Sequence, residues 1–452
     1  MLVYNRNYRL NVKPKKMEIA IVGTGISGLS AAWLLNQEHE VTVYEANSYV
    51  GGHSNTVDVR EGDRSIPVDT GFIVYNEPAY PNLCKLFEQL DVETTPTEMS
   101  FAISKDSGLL EYASNGLDRL FAQRKNFTSP RFWKMIFDVK RFYDQTPNHL
   151  EKYKDYTLDE YLNKFNYSSA FRDDHLYPMA SAIWSTPANK IGQYPFVSFV
   201  NFCVNHSLLQ LRNRPKWRTV TGGSREYVRK ITKEYSHKIS LNDPVLSIER
   251  FDDFVEVVSK QGRRRYDHVI LSCHADQSLR MINKPSEIEI KVLGSFEYEK
   301  NQTILHSDPA LMPINKKVWS SWNYISNSSQ LDSGFTVTYW MNNLQSLTTD
   351  RPLLVSLNPK VKPKDDLIHL EINYEHPIFS QSAVEAQKFA WQMQGINRTW
   401  FCGSYFGYGF HEDGLQSGLA VAEQLSGHKR PWIIPNPSSR IFIPTSINGA
   451  QL

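Results

Sequence analysis

The residues whose types and spacing could do chemistry begin between positions 17 and 45, in MEIAIVGTGISGLSAAWLLNQEHEVTVYE. Gly23, Gly25 and Gly28 form G-x-G-x-x-G, and Glu45 stands 17 residues beyond Gly28. This arrangement suits a dinucleotide. The first glycine permits a tight turn, the second lets the backbone approach a pyrophosphate, and the third lets a helix pack close to a strand. A helix N-terminus, here around Ile26 and Ser27, offers N–H groups and a favourable dipole to negative phosphate. A carboxylate at Glu45 can accept hydrogen bonds from an adenosine ribose. The flanking sequence supplies the elements that must hold these groups. Residues 17–22 are apolar and β-branched and read as a buried parallel strand. Ile26, Leu29, Ala32, Trp33 and Leu35 recur at helical spacing, and Glu40–Tyr44 reads as a second strand. The glycine pattern alone is weak. Framed by strand, helix, strand and acid, it points to a dinucleotide site rather than to a glycine-rich turn without a ligand.

Three further segments carry small and polar residues in patterns that suit the same ligand. After Glu45 and Ala46 come Gly51, Gly52 and His53, a second place where backbone could approach a cofactor. A simple nicotinamide enzyme would continue into another helix–strand unit. Here the chain turns polar and strand-like over 58–64 and reaches PVDTGFIVY (67–75), which contains Gly71 and Phe72. Far along the chain, 400–403 read as a short strand ending at Gly403. They lead through Ser404 to HEDGLQSGLA (411–420), read as a loop feeding a helix that starts at Gly414, with small residues for close packing. In the middle, 219–224 precede a helix, and strands are expected over 243–248, 254–258 and 269–273.

Together these segments resemble the flavin-containing amine oxidase superfamily, which includes monoamine oxidases, phytoene desaturases and protoporphyrinogen oxidases. A narrower resemblance is to a bacterial family of predicted NAD/FAD-binding, amine-oxidase-like proteins. It rests on DTGFIVYNE (69–77), AIWSTP (182–187), SWNY (321–324), TYWMNNLQ (338–345), LNP (357–359) and GYGFHEDGLQSG (407–418), spread over nearly the whole chain. The resemblance implies an α/β fold: a Rossmann-type FAD-binding domain of the amine-oxidase (glutathione-reductase-like) kind with an inserted α+β substrate domain. It implies FAD, expected to be non-covalent because no cysteine or histidine is clearly placed for attachment. By the same resemblance Ala46, Gly51, Gly52 and His53 lie along the ribose and phosphates, and Gly71 and Phe72 pass near the flavin. Val245 meets the adenine through its backbone, and Gly403 and Ser404 touch the pyrophosphate. Glu412, Asp413, Gly414 and Leu415 bring a helix N-terminus to the flavin pyrimidine ring. Two departures stand out: His53 where arginine is usual, and Ser404 where an acid is usual.

Flavin chemistry asks little of side chains beyond orienting a C–H bond and excluding water. His411 is the first catalytic candidate, because it abuts the expected helix start; a histidine can act as a base near neutral pH or hydrogen-bond the flavin. Ordering the loop is its alternative role. Glu412 and Asp413 read more readily as helix caps than as catalysts. Tyr339 and Asn342 lie on a strand expected over 335–342. Alternation puts Tyr339 and Met341 on one face and Trp340 and Asn342 on the other, with the pocket-facing pair left open. His306 and His376 read as hydrogen-bonded structural residues. The resemblance favours hydride abstraction from a fatty-acyl or other lipid chain. The rivals are an amine oxidase, which would need an aromatic cage and a lysine near the flavin, and a flavin-binding protein without catalysis. No lysine stands out for that place.

At 452 residues the chain exceeds one core. The expected layout is a flexible extension over 1–16, an FAD-binding domain from 17–100, 215–290 and 395–428, and a substrate domain. The last has a helical part (101–214) and a sheet part (291–394); a tail (429–452) wraps the surface. Fifty basic against forty-eight acidic residues give +2, which argues against a general nucleic-acid binder. Four scattered cysteines without C-x-x-C argue against a metal site. No run of about 18 apolar residues could span a membrane, and the basic N-terminus lacks the apolar core of a secretory signal. The protein is therefore expected in the cytoplasm, either free or in peripheral contact with the inner face of the membrane. That contact would come from 120–143, where Arg124, Lys125, Arg131, Lys134, Lys140 and Arg141 stand among large aromatics. Ser129 and Pro130 suit a helix start. Such a helix either lies on an anionic bilayer or packs its aromatic face onto the substrate domain. The partners expected are thus a small-molecule or lipid substrate and an electron acceptor of unspecified kind, joined by a membrane surface where the first of these two arrangements holds.

Overall fold

Strands from three distant parts of the chain lie side by side in a parallel sheet of order Ile239–Ser240, Glu40–Tyr44, Glu18–Val22, His268–Leu271, Thr399–Phe401. The computed structural model describes residues 16–184, 186–210, 214–327 and 335–444, so most of the extension and the end of the tail fall outside it. Ile19, Ala20 and Ile21 are fully buried because both faces of this sheet are covered, as a parallel sheet requires. On one face the helix Ile26–Leu35 packs against the C-terminal helix His411–Ser426. A β-carbon added at Gly418 would lie 2.2 Å from the Ser27 carbonyl oxygen, so the two helices meet backbone to backbone. A three-stranded antiparallel meander (Val245–Arg250, Val255–Ser259, Gly262–Tyr266) shares the same core through Ile248, Val255 and Val257.

A seven-stranded sheet forms a second layer, in the order Ile368–Ile378, Glu297–His306, Leu354–Leu357, Thr336–Trp340, Trp322–Ser326, Phe101–Lys105, Leu110–Ala113. Its last two strands come from the segment read as helical. Phe101–Lys105 pairs in parallel with Trp322–Ser326, so the insertion completes this sheet before it turns helical near Leu117. The strand expected over 335–342 ends at Trp340. Met341–Leu344 is a helical turn, and Asn342 ties down the following loop: its Oδ1 accepts from Leu353 N, and its Nδ2 donates to Thr349 O and Arg351 O.

The helical part packs Phe142, Tyr161, Phe171, Phe196 and Phe199 into its own core. Its helix Pro130–Gln145 starts as the sequence indicates, with Ser129 Oγ accepting from Phe132 N at 3.3 Å and proline in the first turn. In the tail, Arg430 pairs with Glu423 and donates to Asn82 Oδ1, while Trp432 stacks on Trp33. Among the described residues no helix is long and apolar enough to cross a membrane, and no cluster of His, Cys, Asp or Glu could hold a metal ion.

Candidate functional site

The glycine turn is built as its spacing requires. Gly23 adopts φ +104°, and a β-carbon at Gly28 would strike the Gly23 carbonyl at 2.1 Å. A β-carbon added at Gly25 would meet nothing within 4 Å. The helix after it starts at Ile26 with no side-chain cap and no acid in its first turn, so its N-terminal charge is left for a ligand. The carboxylate of Glu45 is buried and held in place. Oε2 accepts from Thr24 N at 3.0 Å and from Thr24 Oγ1; Oε1 accepts from Asn47 N and Nδ2 at 2.8 and 2.9 Å.

These groups form one wall of a cavity of about 1300 Å³. Gly23, Gly25, Ile26, Ser27, Glu45, Ala46, Gly51, Gly52, His53 and Val245 all line it, and so do Gly71, Phe72, Gly403, Ser404, Tyr339 and His411. Gly28 lies behind the wall, where its packing role puts it. His53 stacks on Tyr374 (4.7 Å between centroids) and lies 5.3 Å from His376. Its Nε2 is buried and has no partner among the described residues, and burial holds its pKa well below the usual value.

His411 is the first residue of the C-terminal helix, which begins a turn earlier than expected. The cause is Asp413, whose Oδ2 accepts from Phe410 N at 2.8 Å and extends the helix backwards. The His411 ring stacks on Phe72 at 3.8 Å, and its Nε2 hydrogen-bonds to Tyr227 OH (2.7 Å) and Ser54 Oγ (3.0 Å). Burial pushes its pKa down to about 3, so the imidazole is neutral throughout the neutral range.

Glu412, Asp413, Gly414, Leu415 and Asn342 do not line the cavity. Glu412 instead accepts from Asn82 N, Asn82 Nδ2 and Leu83 N, capping the helix Pro81–Gln89 across the domain. Asp413 also faces Arg440 of the tail. Asp69, the acid of the D-x-G element, is a clamp. It accepts from Thr56 Oγ1, Ser224 N, Ser224 Oγ and Gln345 Nε2, and burial raises its pKa to about 6.

Sequence reasoning missed Thr24 and Asn47, which hold Glu45, and Tyr374, which stacks on His53. A signal existed only for Tyr374 and His376, two residues apart on one strand. Elsewhere Ile183, Trp184, Phe202, Leu208, Tyr408 and Phe410 give the cavity an aromatic and aliphatic chamber. Trp184 and Phe410 lie 4.5 and 4.8 Å from Phe202. His206 stands among them. Its Nδ1–H donates to Phe202 O at 3.1 Å, leaving Nε2 as an acceptor without a partner among the described residues.

The model of the flavin containing amine oxidoreductases matches residues 26–304. The chain belongs to this family. Among curated relatives, an L-amino-acid oxidase of Pseudechis australis is 22% identical over 73% of this chain and 63% of its own length. A 15-cis-phytoene desaturase of Synechococcus elongatus is 25% identical over 37% of each chain. The alignments thus span less than two-thirds of these proteins. Among solved structures, a CLA-producing fatty acid isomerase from P. acnes is 14% identical with a TM-score of 0.64 over 91% of this chain and 98% of that one. A putrescine oxidase bound to putrescine is 14% identical with a TM-score of 0.65, covering 91% and 99%. These likenesses show the fold: a parallel-sheet FAD-binding half and a mixed-sheet half.

The family implies FAD, and the residues present fit it. An uncapped helix N-terminus, open space at Gly25, a held carboxylate at Glu45 and an unpartnered imidazole nitrogen at His53 surround one cavity. Its volume exceeds the roughly 300–1,000 Å³ of ordinary small-molecule sites, which suits a dinucleotide together with a second molecule.

Proposed function

We propose that this FAD-dependent oxidoreductase removes a hydride from an apolar, lipid-like substrate, with a fatty-acyl chain as the first candidate. The observation that carries the reading is the chamber of Ile183, Trp184, Phe202, Leu208, Tyr408 and Phe410. Such a lining binds by removing apolar surface from water and offers little to a charged ligand. FAD, when bound, supplies the two-electron acceptor. The chain's own part is to hold the substrate's C–H bond in place and keep water out. His206 Nε2 is an acceptor suited to a hydroxyl or a protonated carboxyl on an otherwise apolar molecule. Burial pushes the His206 pKa down to about 3, which keeps that nitrogen unprotonated. The fatty acid isomerase of like fold acts on a molecule of the class proposed here.

Non-covalent attachment is part of the proposal. Cys273 is the cavity's cysteine among the described residues, and it adjoins Ser272, whose Oγ donates to Val22 O and Gly23 O at the phosphate turn. A second reading, amine oxidation, draws support from the names of the curated relatives and from Lys300. That lysine lines the cavity but is exposed at its rim.

The test is anaerobic mixing of purified protein with long-chain acyl probes, alkylamines and amino acids while the flavin absorbance is followed. Bleaching by the acyl probe alone, with a product lighter by two hydrogens, is expected. Bleaching by amines alone would sink the lipid reading. Acid denaturation should release a yellow compound with the mass of FAD; colour retained in the precipitate would sink non-covalent attachment.

A further inference from the structure

Fifteen large apolar side chains are exposed among the described residues, and six of them converge on one face: Leu109, Leu117, Phe127, Trp133, Phe137 and Ile314. Ring contacts and neighbouring turns join them. Phe127 and Trp133 both pack on Phe121, at 4.0 and 5.5 Å between centroids, and Phe137 lies 6.1 Å from Trp133. A β-carbon at Gly108 would touch Ile314 at 3.0 Å, next to Leu109. Asp118, beside Leu117, binds Lys317 of the turn that follows Ile314. Patches of this kind on a soluble surface mark interaction sites.

The basic helix Pro130–Gln145 therefore has two faces. Phe132, Met135 and Phe142 are buried and pack the substrate domain, while Trp133 and Phe137, four residues apart, point outward. The cations of the face are not the set that the sequence of the helix suggested. Arg131 is committed to the buried Asp174 at 2.7 Å, Lys140 pairs with Asp144, and Arg141 pairs with Asp138. Among the described residues, those left without an acid are Lys125, whose ammonium donates to the Leu109 carbonyl, Lys134, and Lys316, which lies over Trp319. Between 117 and 134 five basic residues stand against one acid, in a chain whose formal charge is only +2.

We propose that this face docks reversibly on a bilayer containing anionic lipid. Charge and shape select that occupant. The apolar residues project singly, with Leu117 75% and Ile314 71% exposed, rather than lining a groove. Separate projections enter a deformable interface without needing a complementary protein surface, and unpaired lysines around them match acidic headgroups. The face belongs to the substrate domain: Phe132 and Met135 share a hydrophobic cluster with the cavity-lining Tyr339 and Leu357. Docking does not rest on the identity of the substrate.

The test is co-sedimentation of the flavin-loaded protein with two kinds of vesicle. One is phosphatidylcholine alone; the other is equal parts phosphatidylcholine and phosphatidylglycerol. Binding to the mixed vesicles at low salt is expected, with a loss of roughly tenfold on the neutral vesicles or at about 1 M salt, where screening shrinks to about 3 Å. The triple variant Lys125→Glu, Lys134→Glu, Lys316→Glu and the double variant Leu109→Ser, Phe137→Ser should each lose binding while keeping the flavin spectrum. Triple glutamine replacement at the same lysines serves if the glutamates impair folding. The proposal is overturned by no sedimentation at low salt, by equal binding to neutral vesicles, or by unchanged binding of both variants. It is equally overturned by a lipid-free dimer that the Leu109→Ser, Phe137→Ser variant abolishes.

Discussion

At His411 the imidazole lies between Phe72 on its face and the Tyr227 and Ser54 hydroxyls at Nε2. Position and residue type suggest a base, but burial without a counter-charge pushes the pKa down to about 3 and leaves the ring a weak proton acceptor. Its remaining role is to fix the start of the C-terminal helix and the ring of Phe72. Replacing His411 with alanine should therefore lower turnover without moving the breakpoints of the kcat/KM–pH profile. Loss of one limb of that profile in the variant would show that His411 titrates in the reaction. Glu45 makes a different case. Thr24 and Asn47 hold its carboxylate ready at the end of the second strand. Hydrogen bonds to a charged group contribute about 1.5–3 kcal/mol each. Glu45→Arg removes such an acceptor and adds bulk and positive charge against two backbone N–H groups. The expected result is at least a tenfold weaker FAD affinity, read by flavin fluorescence on dilution; unchanged flavin occupancy would refute the assignment of this acid.

Between elements, the decisive contact is the crossing of Ile26–Leu35 with His411–Ser426. Gly418 sits on the Ser27 carbonyl, and Ser27 lies in the turn that faces the cavity. Gly418→Val would push the helices apart, at a cost of about 1–3 kcal/mol for overpacking, and shift the phosphate turn with them. Both the urea midpoint and FAD affinity should fall; a variant matching wild type in both would show that the crossing tolerates separation. This crossing was legible in the sequence, because G-x-G-x-x-G and the small residues of 414–420 are local signals. Other elements were not. Phe101–Lys105 pairs with Trp322–Ser326, more than two hundred residues away, so nothing local marks its place in the sheet. Phe410 offers no capping oxygen, which hid the start of the C-terminal helix. Asn342 ends a strand through Leu353 N, a bond that alternation cannot reveal. In the site, the glycines and Glu45 could be read from spacing, while Tyr374, the neighbour of His53, comes from a strand of the distant sheet.

Across the molecule, burial of ionisable groups sets how stability responds to acid. Ten of the thirteen histidines have pKa values lowered from 6.5, chiefly by desolvation. Each takes up a proton more readily in the unfolded chain. Its contribution is complete above pH 6.5 and is lost as pH falls through that value. Four carboxyls work the other way. Asp69, Asp173, Glu412 and Asp413 have raised values, again mainly from desolvation, so the folded state gains protons first and is favoured as pH falls. Each net proton changes stability by about 1.4 kcal/mol per pH unit. Ten groups oppose four: between pH 6.5 and about 5 the unfolded imidazoles charge while the folded ones stay neutral, and the chief opposition comes from Asp69, whose folded carboxyl takes up its proton near pH 6 while the unfolded one stays ionised. Stability should therefore fall on acidification from pH 7.5 to 5.5. Urea unfolding of the flavin-loaded protein at the two pH values measures it directly. A midpoint that is lower at 5.5 is expected, and replacing His206 and His376 together by leucine should shrink the difference; an unchanged or higher midpoint at 5.5 would mean that the buried carboxyls, not the histidines, govern the acid response.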